Sequence, residues 1–330
     1  MKLRIGFIGC GSISYRHLNV FKEREDVDVT SIFDPNEKNV KSFVSAYGKN
    51  LKIYKSDEEL IEKEKLDGVV ICSPHTFHFK QIKNSLEKGI DVLVEKPAVV
   101  EYKEAVEIRK MIEERNKKVV VAYQRHYLAD VNGAKKIISE GKIGKVFFIS
   151  GFLAQKWYEL FSTGKDKRTW RLLPEFAGKG QLTDSGSHFV AMLFYLTGLN
   201  PLEVYAHIDF KDVKVDINSN FIVKFKEGAN ASIGILGEDP SWRECMMIWG
   251  EDGVIKISLS ENSYIHYKGK EKPEEIPSDY DGSPSPADDF IRCLKEGKEP
   301  QTDWHIIENT ALLSDKVYES YFEGKPVKIL

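Results

Sequence analysis

Three residues far apart in the chain have side chains that suit proton transfer and charge stabilisation. His188 is the best candidate for a general base, because the unperturbed pKa of histidine lies near neutral pH. Asp184 stands four residues earlier, a spacing that puts two side chains on one face of a helix. We expect Asp184 either to orient His188 or to hold a hydroxyl group of a ligand. Lys96 follows an apolar stretch typical of a parallel strand, at the edge where ligands bind, and would stabilise charge on a reacting oxygen.

Each of these residues also has an ordinary structural explanation. A lysine after a strand is usually a solvated charge, and an aspartate before a helix is usually an N-cap. A histidine on an apolar helix such as 189–196 is often a core residue whose hydrogen bonds are satisfied. The elements that would position the three residues therefore decide between the two interpretations.

A glycine-rich loop follows the first apolar stretch and opens the first helical stretch. Within residues 6–14, Gly9 allows a tight turn and Gly11 lets the backbone approach a pyrophosphate closely. Ser14 takes the third glycine position as a small residue where helix packs on strand, and the helix N-terminus offers N–H groups to phosphates. The predicted cofactor contacts from this loop are Gly9, Gly11, Ser12 and Ile13. A purely structural turn would also explain the pattern.

Asp34 stands at the end of the second apolar stretch, just before Pro35. A carboxylate at this place accepts hydrogen bonds from the adenosine ribose of a dinucleotide and repels a 2′-phosphate. We therefore predict NAD as the preferred cofactor, with NADP as the alternative. The structural alternative is that Asp34 only begins a turn with Pro35.

The order of apolar and amphipathic stretches predicts an α/β protein with two domains. Up to residue 123, consecutive apolar runs alternate with helical stretches, which indicates a doubly wound parallel sheet covered on both faces. After residue 124, successive strands with short glycine-containing turns indicate a large, mostly antiparallel open sheet. The predicted domains are residues 1–123 for cofactor binding and 124–330 for substrate binding and oligomerisation. We allow for the last helices to pack on the first domain.

Composition excludes several other classes of protein. The net charge of -3 gives no reason to expect nucleic acid or a membrane surface as a partner. The four cysteines are scattered without C-x-x-C spacing, so we predict neither a metal site nor disulfides and place the protein in the cytoplasm. No apolar run is long enough for a spanning helix, and the N-terminus lacks the features of a signal peptide.

Four motifs together make a family recognisable. They are Gly9-x-Gly11, Ser73-Pro74-His75-x-x-His78, Glu95-Lys96-Pro97 and Thr183-Asp184-Ser185-Gly186-Ser187-His188. With them, nearly the whole chain resembles the glucose-fructose oxidoreductase / inositol dehydrogenase (Gfo/Idh/MocA) family. The combination of E-K-P and D-x-G-x-H at these positions is specific, whereas each motif alone is not. Ala191, where relatives often have Asp, and the long segment 155–180 depart from the family pattern and leave the substrate open.

The resemblance implies a fold, a cofactor and a catalytic group. It implies an N-terminal Rossmann domain followed by an α/β domain with a large open sheet, and NAD or NADP as the cofactor. It implies that Lys96, Asp184 and His188 are catalytic and that a cis bond precedes Pro97. Relatives act mostly on sugars, inositols and similar polyols, and they associate through the broad sheet face, so a homodimer or homotetramer is expected.

Further residues complete the predicted site. Ser73, Pro74, His75, His78, Glu95 and Lys96 are expected to line the nicotinamide end of the cofactor site. The predicted substrate contacts are Lys96, Tyr123, Arg125, Trp170, Arg171, Asp184 and His188. The alternative for Tyr123 and Arg125 is a cluster at a domain interface. The alternative for Trp170 and Arg171 is that they only cover the open sheet.

We therefore predict an NAD(P)-dependent oxidoreductase that moves a hydride between nicotinamide and a hydroxyl-bearing ring carbon of a sugar or polyol. One rival within catalysis is an NAD-dependent glycosidase that oxidises a sugar carbon transiently. A rival of another class is a cofactor-binding regulatory protein without turnover.

Overall fold

The computed structural model describes residues 2–163, 169–277 and 282–329. The chain divides into two compact units, and each is made of several segments. The first unit contains Met1–Val99, Lys103–Gln124 and Ser283–Trp304. The second unit contains Val100–Tyr102, Arg125–Gly282 and His305–Leu330.

The first unit is built on a parallel sheet with strand order β3-β2-β1-β4-β5-β6. Its described strands are β1 (Leu3–Ile8), β2 (Val27–Phe33), β3 (Lys52–Ile53), β4 (Gly68–Ile71), β5 (Asp91–Val94) and β6 (Val119–Val121). The central strand β4 is buried along its whole length, as expected for a strand covered on both faces. The predicted doubly wound parallel sheet is confirmed.

Amphipathic helices connect these strands. They are α1 (Ser14–Lys22), α2 (Glu37–Tyr47), α3 (Asp57–Lys63), α4 (His75–Glu87) and α5 (Tyr102–Arg115), and α10 (Pro286–Glu296) packs in the same unit. Local sequence sets several ends: Asn36 caps α2, Ser56 caps α3, and Gly48 ends α2 in the left-handed conformation. Helix α4 begins at His75, directly after Pro74 in an extended conformation.

The second unit is built on a sheet with strand order β13-β12-β11-β7-β10-β9-β8-β14. Its described strands are β7 (Val146–Ala154), β8 (Pro201–Asp209), β9 (Asn218–Phe225), β10 (Asn230–Leu236), β11 (Arg243–Gly250), β12 (Gly253–Ser258), β13 (Tyr264–Tyr267) and β14 (Val327–Lys328). Only the pairing of β7 with β10 is parallel among these neighbours, so the predicted mostly antiparallel sheet is confirmed.

One face of this sheet carries the core of the second unit. Residues of β9 alternate between buried and exposed, which is typical of a sheet covered on one side. The helices of this unit are α6 (Ala129–Ser139), α7 (Trp157–Ser162), α8 (Pro174–Ala177), α9 (Gly186–Thr197) and α11 (Trp304–Glu323), with 3-10 turns at Gln124–Tyr127 and Thr169–Leu172. Residues of α6, α9 and α11 join the strands in one apolar cluster. No helix in the described ranges has both the length and the apolar composition that crossing a bilayer requires.

Candidate active site

The glycine loop after β1 is shaped by close contact with the loop after β4. Gly9 has a φ of 89°, and a Cβ there would lie 2.6 Å from the carbonyl carbon of Cys72, so only glycine fits. A Cβ at Gly11 would meet no atom of the described residues within 4 Å, so its backbone is open to a ligand. Ser14 is buried at the start of α1, and its hydroxyl donates to Gly11 O at 2.7 Å. This cradle suits a pyrophosphate at a helix N-terminus.

Asp34 is tied to the glycine loop. Its Oδ2 accepts a hydrogen bond from the Cys10 N–H at 2.7 Å, and its Oδ1 accepts from the Asn36 N–H at 2.8 Å. The side-chain amide of Asn39 lies 3.2 Å from Oδ2. The carboxylate is therefore oriented before any ligand binds, and it also begins the turn into α2. The turn role and the ribose role are compatible, because each carboxylate oxygen can accept more than one hydrogen bond.

The Ser73–His78 segment is held by hydrogen bonds within the first unit. The Ser73 hydroxyl donates to Gln81 Oε1 at 2.6 Å. The buried His78 ring lies between two carbonyl oxygens, with Nδ1 2.7 Å from Pro97 O and Nε2 2.8 Å from Ser73 O. Burial lowers the pKa of His78, and a neutral ring can donate to only one of these acceptors. The ring therefore bridges the loop after β4 and the segment after β5.

The predicted cofactor residues differ in their exposure. Ser12 is exposed, Ile13 and Pro74 are half-buried, and His75 is buried. Within residues 2–163, 169–277 and 282–329, no group of three or more His, Cys, Asp or Glu side chains is arranged to hold a metal ion.

Glu95, Lys96 and Pro97 follow β5 directly. The Lys96–Pro97 peptide bond is cis, so the prediction from the resemblance is confirmed. The buried Glu95 carboxylate contacts His17 Nε2 of α1 at 2.9 Å, and its other oxygen accepts the Lys96 N–H at 3.3 Å. Glu95 thus joins the helix of the glycine loop to the backbone of Lys96, whose side chain is half-buried.

In the second unit, Asp184 lies in the turn before α9 and not on the helix. The expectation that Asp184 and His188 share a helical face is wrong in its premise, because α9 begins only at Gly186. The Asp184 side chain is buried, and its Oδ2 accepts hydrogen bonds from Trp157 Nε1 at 2.8 Å and from Arg171 Nε at 2.9 Å. An ionised carboxylate at this depth is stabilised by such a charged partner.

The turn that carries Asp184 is held by a buried carboxylate that the sequence analysis missed. Asp216 accepts the N–H groups of Gly180 at 2.8 Å and Leu182 at 2.7 Å, and the Tyr318 hydroxyl donates to it. The Asp184 N–H in turn donates to Gly180 O at 3.0 Å. The only signal in the sequence is an acidic residue between Val215 and Ile217, an apolar setting that favours a bonded, buried carboxylate.

His188 is half-buried on the first turn of α9, whereas Ser187 and Phe189 on either side are buried. The backbone N–H of His188 donates to Ser185 O at 3.2 Å. This exposure is greater than that of the core residues of the same helix. His188 therefore lies near the surface at the N-terminal end of α9, close in the chain to Asp184.

The other predicted substrate residues are divided between the units: Arg125, Trp170 and Arg171 have partners within the second unit, and Tyr123 belongs to the first. Arg125 forms an ion pair with Glu244, whose side chain is buried on β11. The Arg171 guanidinium carbon lies 4.3 Å from the centre of the Trp170 ring, so those two side chains stack on each other. Tyr123, which belongs to the first unit, is almost fully buried.

Two models of known protein families match the chain. The model described as an oxidoreductase family with an NAD-binding Rossmann fold matches residues 3–123. The model of the GFO/IDH/MocA C-terminal domain matches residues 131–256. Together the two models cover most of the chain, including the whole parallel sheet and most of the second sheet.

Individual relatives are more distant. The chain is 27% identical over 196 residues to glucose-6-phosphate 3-dehydrogenase of Bacillus subtilis, covering 58% of this chain and 53% of that protein. It is 22% identical over 245 residues to D-glucoside 3-dehydrogenase of Escherichia coli, covering 72% and 63%. The alignments thus span less than two thirds of each relative. The crystal structure of levoglucosan dehydrogenase in complex with NADH matches with a TM-score of 0.87 at 20% identity over 100% of both chains, which shows the same fold.

The hydrogen bond between Asp34 and the glycine loop predicts how substitution of Asp34 changes the preference for NAD over NADP. Asp34→Ala is expected to weaken NAD binding about tenfold or more, because a charge-assisted hydrogen bond is lost. The difference in affinity between NAD and NADP should therefore become smaller. Fluorescence titration with NADH and NADPH measures both affinities. Glu37→Ala, which removes a side chain that is 89% exposed, is the matched control. Unchanged NADH affinity in Asp34→Ala would remove the ribose role.

The Arg125–Glu244 pair predicts a pH dependence of stability. Burial raises the pKa of Glu244 from 4.5 to about 6. The folded protein therefore binds this proton more tightly than the unfolded chain does, so the contribution of Glu244 is greatest below pH 4.5 and falls as the pH rises to 6. The free energy of unfolding of the wild type, relative to Glu244→Gln, should fall by about 2 kcal/mol over this interval. Denaturant unfolding at several pH values measures it, with the exposed Glu251→Gln as control, and a rise would contradict it.

Proposed function

The chain belongs to the GFO/IDH/MocA oxidoreductase family, and we propose that it is a cytoplasmic, NAD-dependent dehydrogenase of a ring hydroxyl on a sugar or polyol. The observation that carries the proposal is the cradle of the first unit, where Gly9 packs on Cys72, Gly11 is open and Asp34 accepts the Cys10 N–H. The site residues Lys96, Asp184 and His188 are part of the same proposal.

The choice of substrate class is supported by the relatives. Two of them are named for oxidation at position 3 of a glucose derivative. The buried Asp184 and the half-buried His188, at the N-terminal end of α9, suit a hydroxylated ligand, because each hydroxyl both donates and accepts a hydrogen bond. We therefore propose a cyclic sugar, inositol or related polyol.

Oxidation of such a hydroxyl removes a hydride from carbon and a proton from oxygen. Bound NAD supplies the hydride acceptor. A ring nitrogen of His188 takes the hydroxyl proton, which suits a group that titrates near neutral pH. Lys96 Nζ donates a hydrogen bond to the same oxygen and stabilises the negative charge that develops there. The carboxylate of Asp184 orients His188 or a substrate hydroxyl, and the products are a ketone, NADH and a proton.

An absorbance screen at the NADH band tests this function. Purified protein and NAD are mixed with sugars, inositols, sugar acids and anhydrosugars, and a ring hydroxyl substrate is expected to produce NADH. Glycoside hydrolysis without net NADH would favour the transient-oxidation glycosidase instead. Tight NADH binding without turnover on any substrate would favour the regulatory protein.

Lys96 should matter for turnover more than for cofactor binding. Lys96→Ala is expected to lower kcat about a hundredfold or more, because one donor to the reacting oxygen is lost, while the Kd for NADH changes little. Steady-state kinetics and fluorescence titration measure the two quantities. Lys80→Ala is the control, since this side chain is 67% exposed and pairs with Glu58 on the surface. An unchanged rate would remove Lys96 from the mechanism.

We also propose that the protein forms a homo-oligomer through the open face of the large sheet. Phe148, Phe152, Ile222 and Leu236 expose large apolar side chains on the described strands of this sheet. Exposed large apolar side chains on one sheet favour association with another protein surface.

A charge on this face should disrupt the association. Ile222→Glu is expected to reduce the mass in solution to that of a single 37.7 kDa chain, because the glutamate would be buried unpaired at the interface. Phe322→Glu changes the side chain of another exposed residue, which lies on α11, and should leave the mass unchanged. Light scattering measures the masses. A wild type that is already monomeric would refute the proposal.

A further inference from the structure

We propose that Arg171 and Trp157 are positioning residues that fix the carboxylate of Asp184 in the orientation used for catalysis. The proposal rests on the dehydrogenase function proposed above. It assigns a role to the segment 155–180, whose length departs from the family pattern. It also replaces the expectation that Arg171 contacts the substrate.

The two donors meet at one oxygen of the carboxylate. Trp157 Nε1 and Arg171 Nε lie 2.8 Å and 2.9 Å from Asp184 Oδ2. They come from different elements, α7 and the 3-10 turn Thr169–Leu172. Two donors that approach one oxygen from separate elements restrict rotation of the carboxylate, and they thereby also set the direction of Oδ1. The charge of Arg171 offsets the cost of an ionised carboxylate that is only 3% exposed.

The donors are themselves held by aromatic packing. The Arg171 guanidinium lies 4.3 Å from the ring centre of Trp170 and 5.1 Å from that of Phe161. The Trp157 ring is 1% exposed and packs edge to face on Phe161, with centroids 5.1 Å apart. A guanidinium that packs near two aromatic rings loses little additional side-chain freedom when it binds the carboxylate. Aromatic packing therefore holds both donors in place.

The backbone of Asp184 is held by different contacts. Asp216 binds the N–H groups of Gly180 and Leu182, and the Thr183 hydroxyl lies 3.1 Å from that of Ser314. Removal of Arg171 or the Trp157 N–H should therefore release the side chain of Asp184 while the turn keeps its place. This separation makes variants of the two donors informative, because the unit can fold without them.

A displaced catalytic carboxylate slows the reaction more than it weakens binding. A misplacement of about 1 Å costs on the order of a hundredfold in rate. Arg171→Gln is thus expected to lower kcat by about tenfold to a hundredfold, with KM within about threefold of the wild type and the Kd for NADH unchanged. Trp157→Phe keeps an aromatic ring and should have a smaller effect of the same kind. Arg171→Lys keeps the charge without the Nε–H and should restore part of the rate.

A double-mutant cycle with Asp184→Asn is the decisive test. If Arg171 acts through Asp184, the change Arg171→Gln should lower kcat less than about threefold in the Asp184→Asn background. Equal effects in both backgrounds would overturn the proposal. A rise in KM of about tenfold or more with kcat retained would also overturn it, because Arg171 would then bind the substrate directly.

The neighbouring pair Trp242 and Arg243 offers matched controls. Trp242 is an exposed tryptophan, and Arg243, whose side chain is 56% exposed, forms an ion pair with Asp239. Trp242→Phe and Arg243→Gln make the same chemical changes at other positions and should leave kcat and KM unchanged. A comparable loss of kcat in these controls would overturn the assignment to Arg171 and Trp157.

A second cycle does not depend on turnover. The four proteins of the Arg171 and Asp184 cycle are unfolded with denaturant, and the shifts in midpoint are compared. The shift in the double variant should differ from the sum of the single shifts, because the removal of either partner already breaks the pair. Additive shifts would overturn the proposal, whatever catalytic rate the variants retain. Coupled shifts in a protein that oxidises no substrate would refute the proposed function and leave the role of Arg171 standing.

Discussion

The parallel pairing of β1 with β2 and β4 is the constraint on which the cofactor half of the site depends. Parallel strands that start at one edge end together at the other, so the residues that follow them become neighbours whatever their separation in the chain. The ladder continues past the strands, with the Gly9 N–H bonded to Phe33 O at 2.8 Å and the Cys72 N–H bonded to Ile8 O at 2.7 Å. The glycine loop and Asp34 are therefore shaped by sheet geometry before any ligand is present.

Carboxylates perform most of the local positioning in both units. Asp34 is oriented by a backbone N–H of the glycine loop, Glu95 links α1 to the backbone of Lys96, and Asp216 gathers two backbone N–H groups of one turn. In each case a carboxylate replaces the regular hydrogen bonds that a loop lacks. Loops held in this way can be precise without being long, which suits residues that must meet a small ligand.

The sequence predicts well what depends on neighbours in the chain and poorly what depends on distant partners. Both sheets and the glycine loop follow from local patterns, because periodicity and turn residues are local properties. The strand β3, only Lys52–Ile53, is too short to show a period. Glu244 and Arg125 are 119 positions apart, and no motif marks them as a pair. The start of α9 at Gly186 was also missed, because the D-x-G-x-H motif has helical spacing although its first residue lies in a turn.

The support of the turn at residues 180–184 by α11 has a consequence for biosynthesis. Ser314 and Tyr318 contact this turn from more than 130 positions further along the chain. A ribosome must therefore synthesise α11 before the turn can acquire its native contacts. Closure of so long a loop is slow, and the second unit can mature only after α11 has been synthesised. Until that moment the apolar helix α9 depends on chaperones or on rapid collapse for protection from aggregation.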